Sequence, residues 1–398
     1  MTKRLSALFL ALCMLLPCLA FAEEEIVIPE MTVGSFDIPD NEAMAFLRRM
    51  GLGWNLGNTL DASSGWTGGN ELNTETSWGN PRTTPELFQA IHDAGFGFVR
   101  IPITWSGHLD ADFTIHEVWL DRVQEIVDAA LDAGLIVLIN THHDVSEKYY
   151  YPDRAHEETS RAFVERIWAQ VAERFADYDE RLVFESLNEP RLKGTIYEWS
   201  FNPLMLEVKE AAECINELNQ LFVDTVRAAG GYNEERYLSV PGYAASIDGC
   251  NPDYFVLPTD TADNKLIVAV HAYTPYSFAL DTKGTAEFDM DKPGDRSSVM
   301  LPLKAMYDRW ISKGIPAYIG EYGSLNKDNL QARVDHVSLY ASAAMQWNIP
   351  IAWWDNGSYK GNGENFAIIN RRTLEWYWPE LIEAMMRYSL QETEAIAE

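Results

Sequence analysis

Short apolar runs alternate with stretches of helical periodicity along most of the chain. The runs are rich in Val, Ile and aromatic residues, and such uninterrupted apolar segments are typical of strands that are buried on both faces. They predict eight strands, at residues 51–56, 97–103, 135–140, 182–187, 237–240, 265–270, 316–321 and 350–354. Eight strands that alternate with helical segments favour a (β/α)8 TIM barrel over an open sheet.

The clearest helical segment follows the second strand. Its apolar residues between Trp119 and Leu131 recur at three- and four-residue spacings, which places them on one face of a helix. We predict that this helix begins at Thr114, with Glu117 completing a capping box, and that it ends before Gly134. The next strand begins at once, as expected of a wound α/β unit.

The chain is longer than the roughly 250 residues that are typical of this barrel. The surplus falls in loops that follow the predicted strands, at residues 59–82, 144–157, 191–202, 244–264 and 274–297. Such loops form the catalytic face of (β/α)8 barrels. Because no linker or internal repeat interrupts the pattern, we assign one catalytic domain to residues 41–390, an N-terminal extension to 23–40 and a C-terminal tail to 391–398.

Residues 1–22 have the pattern of a secretory signal peptide. Lys3 and Arg4 precede an apolar run that is too short to cross a bilayer, and Ala20-Phe21-Ala22 forms a small-x-small cleavage site. The alternatives are an uncleaved anchor and a lipoprotein modified at Cys18. We therefore expect a secreted protein that has no membrane contact after cleavage.

The whole chain of 398 residues contains 31 Lys and Arg against 60 Asp and Glu, which gives a formal charge of −29. Cleavage of the signal peptide would remove two positive charges and leave −31. This acidity argues against a nucleic-acid partner and against attachment to anionic lipid through basic residues. We expect a monomer, in which the two remaining cysteines, Cys214 and Cys250, form one disulfide or stay free.

Polar side chains stand at the ends of the predicted strands, and these ends converge on one pocket in a barrel. They include Arg100, His142-His143-Asp144, Asn188-Glu189, His271, Tyr273, Glu321 and Asp355-Asn356. Ionisable groups in such places are costly unless they are paired, which makes them candidates for a site.

Glu189 and Glu321 are the central pair, because they follow the fourth and seventh predicted strands on opposite sides of the mouth. Hydrolysis of a glycosidic bond needs two carboxyl groups that face each other across the bond. A non-catalytic glycan-binding barrel, the alternative from another class, would lack one of these carboxylates.

Seven motifs, each at the end of its own strand, agree in order with one family. They are Gly53-Trp54-Asn55-Leu56-Gly57-Asn58, Val99-Arg100-Ile101-Pro102, Thr141-His142-His143, Leu187-Asn188-Glu189-Pro190-Arg191, Val270-His271-Ala272-Tyr273-Thr274-Pro275-Tyr276, Ile319-Gly320-Glu321-Tyr322-Gly323 and Trp353-Trp354-Asp355-Asn356-Gly357. Over residues 45–385 the chain resembles glycoside hydrolase family 5, and most closely its broad endo-β-1,4-glucanase branch, subfamily 4, which includes cellulases, lichenases and xyloglucanases. The resemblance implies a retaining enzyme without a cofactor, in which Glu189 is the acid/base and Glu321 is the nucleophile. Loop-dependent preferences leave mannanase and xylanase as alternatives.

Each neighbour of the two carboxylates then has an expected role. Arg100 and Tyr273 should keep Glu321 ionised. Glu189 should hold a proton near neutral pH, either because it is the less solvated of the two or because it feels the other charge. We expect a local bulge after the fourth strand to bring Asn188 to the sugar 2-hydroxyl, and the alternative is a structural role in the turn.

Three consecutive residues, His142, His143 and Asp144, invite a metal interpretation, but neighbouring strand residues point apart and the sequence has no metal-binding motif. We predict that no metal is bound. His142 is expected to hydrogen-bond the reacting sugar, His143 either to contact sugar or to pack, and His271 to orient the nucleophile or the acid.

Thirteen Trp residues are many for this length, and the flat face of an indole can stack on a sugar ring. Those in or beside the strand-end loops are Trp66, Trp78, Trp105, Trp199, Trp353 and Trp354. We predict that Trp354 is the floor under the cleaved sugar, and that Trp54 and one of the Trp353/Trp354 pair fill the barrel. Asn55 and Asn58 are candidate hydroxyl partners. The sequence thus predicts a secreted endo-β-1,4-glucanase that acts on a neutral β-glucan polysaccharide.

Overall fold

Eight parallel strands close into one barrel, in which each strand pairs with the next in sequence and the first pairs with the eighth. This computed structural model describes residues 25–63 and 67–395. The strands are β1 (Leu52–Leu56), β2 (Phe98–Ile101), β3 (Ile136–Asn140), β4 (Leu182–Glu185), β5 (Leu238–Pro241), β6 (Leu266–His271), β7 (Ala317–Tyr322) and β8 (Ile351–Asp355). The eight predicted strands and the (β/α)8 fold are therefore confirmed.

Helices surround the barrel. They are α1 (Glu42–Met50), α2 (Pro85–Asp93), α3 (Glu117–Asp132), α4 (Glu157–Arg174), α5 (Leu206–Ala228), α6 (Tyr276–Ala279), α7 (Pro293–Arg309), α8 (Leu330–Gln346) and α9 (Pro379–Ala395). Short 3-10 helices lie at Glu71–Thr76, Arg154–His156, Gly231–Glu234, Tyr243–Ala245 and Ile311–Lys313. Every strand residue is buried, because side chains fill the barrel on one face and helices cover the other. In the described ranges, no helix combines the length and the apolar character that a membrane crossing requires.

Side-chain alternation along β1 and β8 decides which residues face the barrel mouth. Asn55 forms its hydrogen bonds inside the mouth, so its neighbour Trp54 faces outward. Trp353 likewise points away from Trp354, and the guanidinium of Arg333 on α8 lies 5.7 Å from its ring centroid. Both outward indoles are fully buried between the sheet and the surrounding chain. The prediction that they fill the barrel interior is wrong.

The helix after β2 begins at Glu117 and not at Thr114. His116 occupies the N-cap position, and its side chain makes no capping hydrogen bond. The Thr114 hydroxyl instead accepts a hydrogen bond of 2.9 Å from Arg166 on α4, and the adjoining residue pairs in an isolated β-bridge. Tertiary contacts thus hold this segment outside the helix, and the predicted capping box is wrong.

Both cysteines of the predicted mature chain are buried free thiols. Burial raises the pKa of the Cys214 and Cys250 thiols to about 12. They stay protonated at neutral pH. Of the two predicted alternatives, a disulfide or free thiols, the structure shows free thiols.

The segment before α1 packs on the barrel without forming a helix or a strand. Within residues 25–40, Phe36 stacks on Tyr307 of α7 with ring centroids 4.5 Å apart. At the other end, α9 continues to Ala395 and so enters the range predicted as a tail. The predicted signal peptide and Trp66 lie outside the described residues.

Candidate active site

Arg100 on β2 is the centre of the polar network at the mouth of the barrel. Its fully buried guanidinium forms ion pairs with Glu185 on β4, at 2.7 Å, and with Glu321 on β7, at 2.8 Å. It also donates to the side-chain oxygens of Asn55 and Asn188, at 3.1 and 2.7 Å. Burial lowers the pKa of Arg100, but the charges of the two carboxylates outweigh burial and raise it. One permanent cation therefore connects β1, β2, β4 and β7.

Glu321 is held through both of its oxygens. Oε1 accepts from Arg100, and Oε2 accepts from the Tyr273 hydroxyl at 2.9 Å. Burial raises the pKa of Tyr273 well above its usual value, so the hydroxyl remains a donor. A Cβ atom at Gly320 would lie 3.2 Å from the His271 ring, so a glycine lets β7 approach β6 closely here. The Glu321 carboxylate is therefore fixed in orientation and its charge is stabilised.

Glu189 stands beside Glu321, in the loop after β4. Its Oε1 lies 2.8 Å from Nδ1 of His271, and one oxygen of each carboxylate and one nitrogen of this imidazole all lie within 4.8 Å of one another. Retaining glycosidases have carboxyl groups roughly 5–5.5 Å apart, whereas inverting enzymes need roughly 6.5–9.5 Å for a water molecule. The spacing of Glu189 and Glu321 fits direct attack by one of them.

The solvation of the two carboxylates is the reverse of one of the two predicted alternatives for Glu189. The Glu189 side chain is 17% exposed and that of Glu321 is 7% exposed. Burial raises the pKa of Glu189, but the hydrogen bond and charge of His271, together with the charge of Arg191, outweigh burial and lower it. The free site therefore favours an ionised Glu189, contrary to the predicted proton. Of the two predicted alternatives, the less solvated Glu189 is wrong, whereas the two carboxylates do lie close enough for each to feel the other charge.

Both carboxylates open into a cleft of about 800 Å³. Trp354 and His142 line it with rings that are 4° from parallel and 5.8 Å apart at their centroids. Burial lowers the pKa of His142 well below its usual value, so its ring is neutral and can both donate and accept. The segments after β4, β5 and β6 contribute further lining residues, which include Arg191, Trp199, Ser246, Tyr276, Asp281 and Thr282. This arrangement of stacking faces and facing carboxylates suits an extended glycan.

Comparison with known proteins agrees with this geometry. Residues 60–360 match the family described as cellulase, glycosyl hydrolase family 5. The chain belongs to glycosyl hydrolase family 5.

Relatives and solved structures of family 5 resemble nearly the whole barrel. Endoglucanase 1 from Ruminococcus albus is 44% identical over 348 residues, which are 87% of this chain and 81% of the relative. A family 5 lichenase from Caldicellulosiruptor sp. F32, solved in complex with cellotetraose, is 43% identical with a TM-score of 0.90, over 92% of this chain and 100% of that chain. A subfamily 4 broad-specificity endoglucanase from Ruminococcus champanellensis with bound cellotriose is 41% identical with a TM-score of 0.80, over 88% of this chain and 100% of that chain. The predicted family and branch are therefore confirmed.

Most of the predicted site residues meet at the family 5 cleft. Its lining includes Glu189, Glu321, His142, His143, Asn188, His271, Tyr273 and Trp354, and Arg100 lies buried among them. Asn188 reaches the cleft without the predicted bulge, because β4 already ends at Glu185. Asn55 is fully buried and donates to the backbone carbonyl of Gly320 at 2.9 Å. Neither Asn55 nor Asn58 is among the described residues that line the cleft, so the structure does not place them against sugar hydroxyls.

The loop tryptophans divide by exposure. Trp78 and Trp199 are 42% and 63% exposed, whereas Trp105 is fully buried and donates from Nε1 to the Asn140 carbonyl at 3.2 Å. Trp105 therefore packs in the core and does not offer a face to a sugar.

Sequence reasoning misses three charged residues of the site. Glu185 is a charge inside a predicted apolar run, the same signal that identifies Arg100. Arg191 follows Glu189 in its motif and donates to the Glu189 carbonyl at 2.8 Å. Glu364 comes from the loop after β8, where burial and the charges of the two central carboxylates raise its pKa. No pattern in the sequence marks Glu364.

Two groups among the described residues have the composition of a metal site, the central Glu189, His271 and Glu321 and a second group beside the cleft. Asp61, His142 and His143 place three ligand-type atoms within 4.8 Å of one another. Both Asp61 oxygens accept backbone N–H groups of the preceding turn, and the ring nitrogens of His142 lie 3.1 and 3.4 Å from the amide nitrogens of Asn140 and Asn188. Hydrogen bonds thus engage both Asp61 oxygens and one ring nitrogen of His142, since a neutral imidazole accepts at one nitrogen only.

The variant Tyr273→Phe tests the contribution of the hydrogen bond from the Tyr273 hydroxyl to Glu321, because it removes this donor and keeps the ring. A hydrogen bond to a charged group contributes about 1.5–3 kcal/mol, so we expect kcat on cellohexaose to fall roughly ten- to hundred-fold. Steady-state kinetics would measure the change. Tyr232→Phe is the matched control, because this exposed tyrosine precedes β5 at the amino end of the barrel. A wild-type kcat for Tyr273→Phe would show that the bond has no part in catalysis.

Proposed function

We propose that this family 5 enzyme is a retaining endo-β-1,4-glucanase, with Glu321 as the nucleophile and Glu189 as the acid/base. The proposal rests on the difference between the surroundings of two carboxylates that lie close together. Glu321 is fixed by Arg100 and Tyr273, whereas Glu189 stands at the more exposed edge beside His271. A nucleophile must be ionised and aligned, and an acid must reach both the leaving oxygen and water.

The geometry supports a double displacement. In the first step a carboxylate oxygen of Glu321 attacks the anomeric carbon, the bond to the leaving oxygen breaks, and the Glu189 proton passes to that oxygen. In the second step Glu189 takes a proton from water, the water oxygen attacks the same carbon, and the bond to Glu321 breaks. Two inversions at one carbon retain the β configuration.

Substrate binding changes the environment of Glu189 in a way that favours its protonated form, which the first step needs. In the free cleft, water reaches this side chain, and nearby positive charges favour its ionised form. A sugar chain in the cleft removes that water, and loss of solvation raises the pKa of a carboxyl group. The occupied cleft therefore favours the protonated acid.

A neutral β-1,4-glucan is the proposed substrate. Glu189, Glu321 and Glu364 make the cleft acidic, which disfavours uronate polymers, and indole faces suit uncharged pyranose rings. The similar proteins are named as endoglucanases and a lichenase. Linear cellulose-type chains, mixed-linkage glucan and xyloglucan all belong to this substrate class.

The variant Glu321→Gln tests the assignment of the nucleophile. It keeps the shape and one acceptor for Arg100 but cannot form the glycosyl ester, so we expect kcat to fall at least about a thousand-fold. Initial rates would be measured on soluble β-glucan, xyloglucan, xylan and glucomannan, with near-UV circular dichroism as the test of folding.

Glu235→Gln is the matched control, because Glu235 is exposed at the amino end of the barrel. Wild-type rates for a folded Glu321→Gln would refute an enzymatic role for this carboxylate. Faster hydrolysis of xylan or glucomannan than of glucans by the wild type would refute the proposal that a β-1,4-glucan is the substrate.

The configuration of the first product tests the retaining mechanism. We expect proton NMR, recorded within minutes of adding enzyme to cellohexaose, to show the β anomer of the new reducing end before mutarotation. An initial excess of the α anomer would rule out the double displacement.

We also propose that the enzyme is secreted, on the basis of the amino-terminal sequence alone. Expression of the full chain in a bacterial host should yield extracytoplasmic enzyme whose amino terminus is Glu23. Recovery of the enzyme only in the cytoplasm, with residues 1–22 intact, would contradict this proposal.

A further inference from the structure

Arg333 on α8 is a buried cation whose donors have no acceptor in the part of the chain that the structure describes. Its side chain is fully buried, and none of its three guanidinium nitrogens forms a hydrogen bond with the described residues. The other buried arginines of these ranges are all paired, because Arg100 and Arg122 bind carboxylates and Arg236 donates to several backbone carbonyls. A buried donor without an acceptor is costly, and a charged one more so. The surroundings of Arg333 therefore need a separate explanation.

The carboxylate whose charge acts on Arg333 belongs to Asp355, and its oxygens already have other partners. Asp355 pairs with Arg371 at 2.9 Å. It also accepts from the backbone N–H groups of Gly357 and Ile368, at 2.8 and 2.9 Å. Burial lowers the pKa of Arg333 to about 9, and the charge of Asp355 opposes this effect only in part, so the guanidinium stays protonated at neutral pH. Two guanidinium groups thus share one carboxylate, which leaves one excess positive charge.

Indole rings flank this charge and supply further donors. The guanidinium carbon of Arg333 lies 5.7 Å from the ring centroid of Trp353 and 5.6 Å from that of Trp378. Nε1 of Trp378 is buried and has no acceptor among the described residues. The same holds for Nε of Arg371 and Nε1 of Trp54, whose ring centroid lies 5.0 Å from the guanidinium carbon of Arg371. An aromatic face attracts a cation but does not replace a hydrogen-bond acceptor. A group of N–H donors with a net positive charge suits an anion.

We propose that Arg333 and Trp378 bind a small monovalent anion of the size of chloride. The anion accepts from the guanidinium of Arg333 and from Nε1 of Trp378, and it cancels the excess positive charge. A water molecule in its place would accept hydrogen bonds but leave the charge unbalanced. A halide has no donors of its own, which suits a site that offers only N–H groups.

The location of the site separates it from the catalytic centre. Trp353 points away from the barrel interior, whereas its neighbour Trp354 lines the cleft on the other face of β8. Trp378 is only partly buried, unlike Arg333, so exchange of the anion with solvent would pass this residue. The inference is independent of the roles proposed for Glu189 and Glu321, and its tests do not measure activity.

Bromide tests the site directly, because it has the charge of chloride, is similar in size and scatters X-rays anomalously. Crystals of the enzyme grown with sodium bromide should show an anomalous peak in contact with the Arg333 guanidinium and Nε1 of Trp378. Crystals of Arg333→Met treated in the same way should lack this peak. A wild-type map without bromide at Arg333 would overturn the proposal.

Thermal unfolding tests binding in solution. The chain has a formal charge of −29, so any salt affects its stability through screening. Chloride is therefore exchanged for gluconate at constant ionic strength, in the wild type and in Arg333→Met, and general salt effects cancel in the comparison. As chloride increases, we expect Tm of the wild type to rise by a few degrees relative to the variant and then to saturate.

Three variants distinguish anion binding from a purely structural role. Arg333→Met replaces an unpaired buried charge by an apolar side chain, so in gluconate it should be at least as stable as the wild type. Trp378→Phe keeps the ring and removes one donor to the anion, so half-saturation should need roughly ten-fold more chloride. Arg122→Met is the matched control, since it removes a buried arginine that is paired with Glu75. It should lower Tm in both salts and keep the response to chloride.

The same chloride response in the wild type, Arg333→Met and Trp378→Phe would overturn the proposal. If Arg333→Met does not fold, the shift of half-saturation in Trp378→Phe and the bromide map of the wild type still decide it. An unchanged half-saturation in Trp378→Phe would then contradict the site, and a bromide peak without any response in solution would show binding at crystal concentration only.

Discussion

The buried ion pairs of Arg100 determine how the rest of the site is built. A charge without solvent is costly, and it is tolerated here because every side of the guanidinium meets a carboxylate or an amide oxygen. Since those acceptors come from three strands or their ends, the cation aligns elements that are distant in sequence. Removal of one partner from a buried pair typically costs about 3–5 kcal/mol because it leaves an unpaired buried charge, so the loss of a contact that orients Glu321 would also destabilise the barrel.

The sequence is a sufficient guide to features that depend on local pattern. Continuous apolar runs identify all eight strands, and polar residues at their ends identify Glu189, Glu321 and their close neighbours. Features that depend on tertiary contacts are harder to predict from the sequence. Thr114 has the sequence of a helix cap, but a contact with Arg166 holds it outside the helix. Glu364 reaches the cleft on a loop whose course has no local signature.

The reversed solvation of the two carboxylates has a related explanation. Chemistry requires that one carboxyl group is ionised and that the other is protonated, but it does not require that the free protein provides both states. Glu321 receives its donors from Arg100 on β2 and from Tyr273 just after β6, whereas Glu189 is open to water until a ligand covers it. The bound polysaccharide is thus part of the environment that prepares the acid. Sequence alone does not contain this contribution, because it belongs to the complex.

The charge of Glu185 determines the net charge of the Arg100 cluster at each stage of the reaction cycle. In the resting site one cation faces two carboxylates, so the buried cluster carries one excess negative charge. A positive charge that develops on the anomeric carbon would offset this excess, and the proposed ester on Glu321 would be neutral. The remaining Arg100–Glu185 pair is then neutral as well. The cluster of Arg100, Glu185 and Glu321 is therefore electrically balanced in the covalent intermediate, and its resting state is the one that carries unbalanced charge.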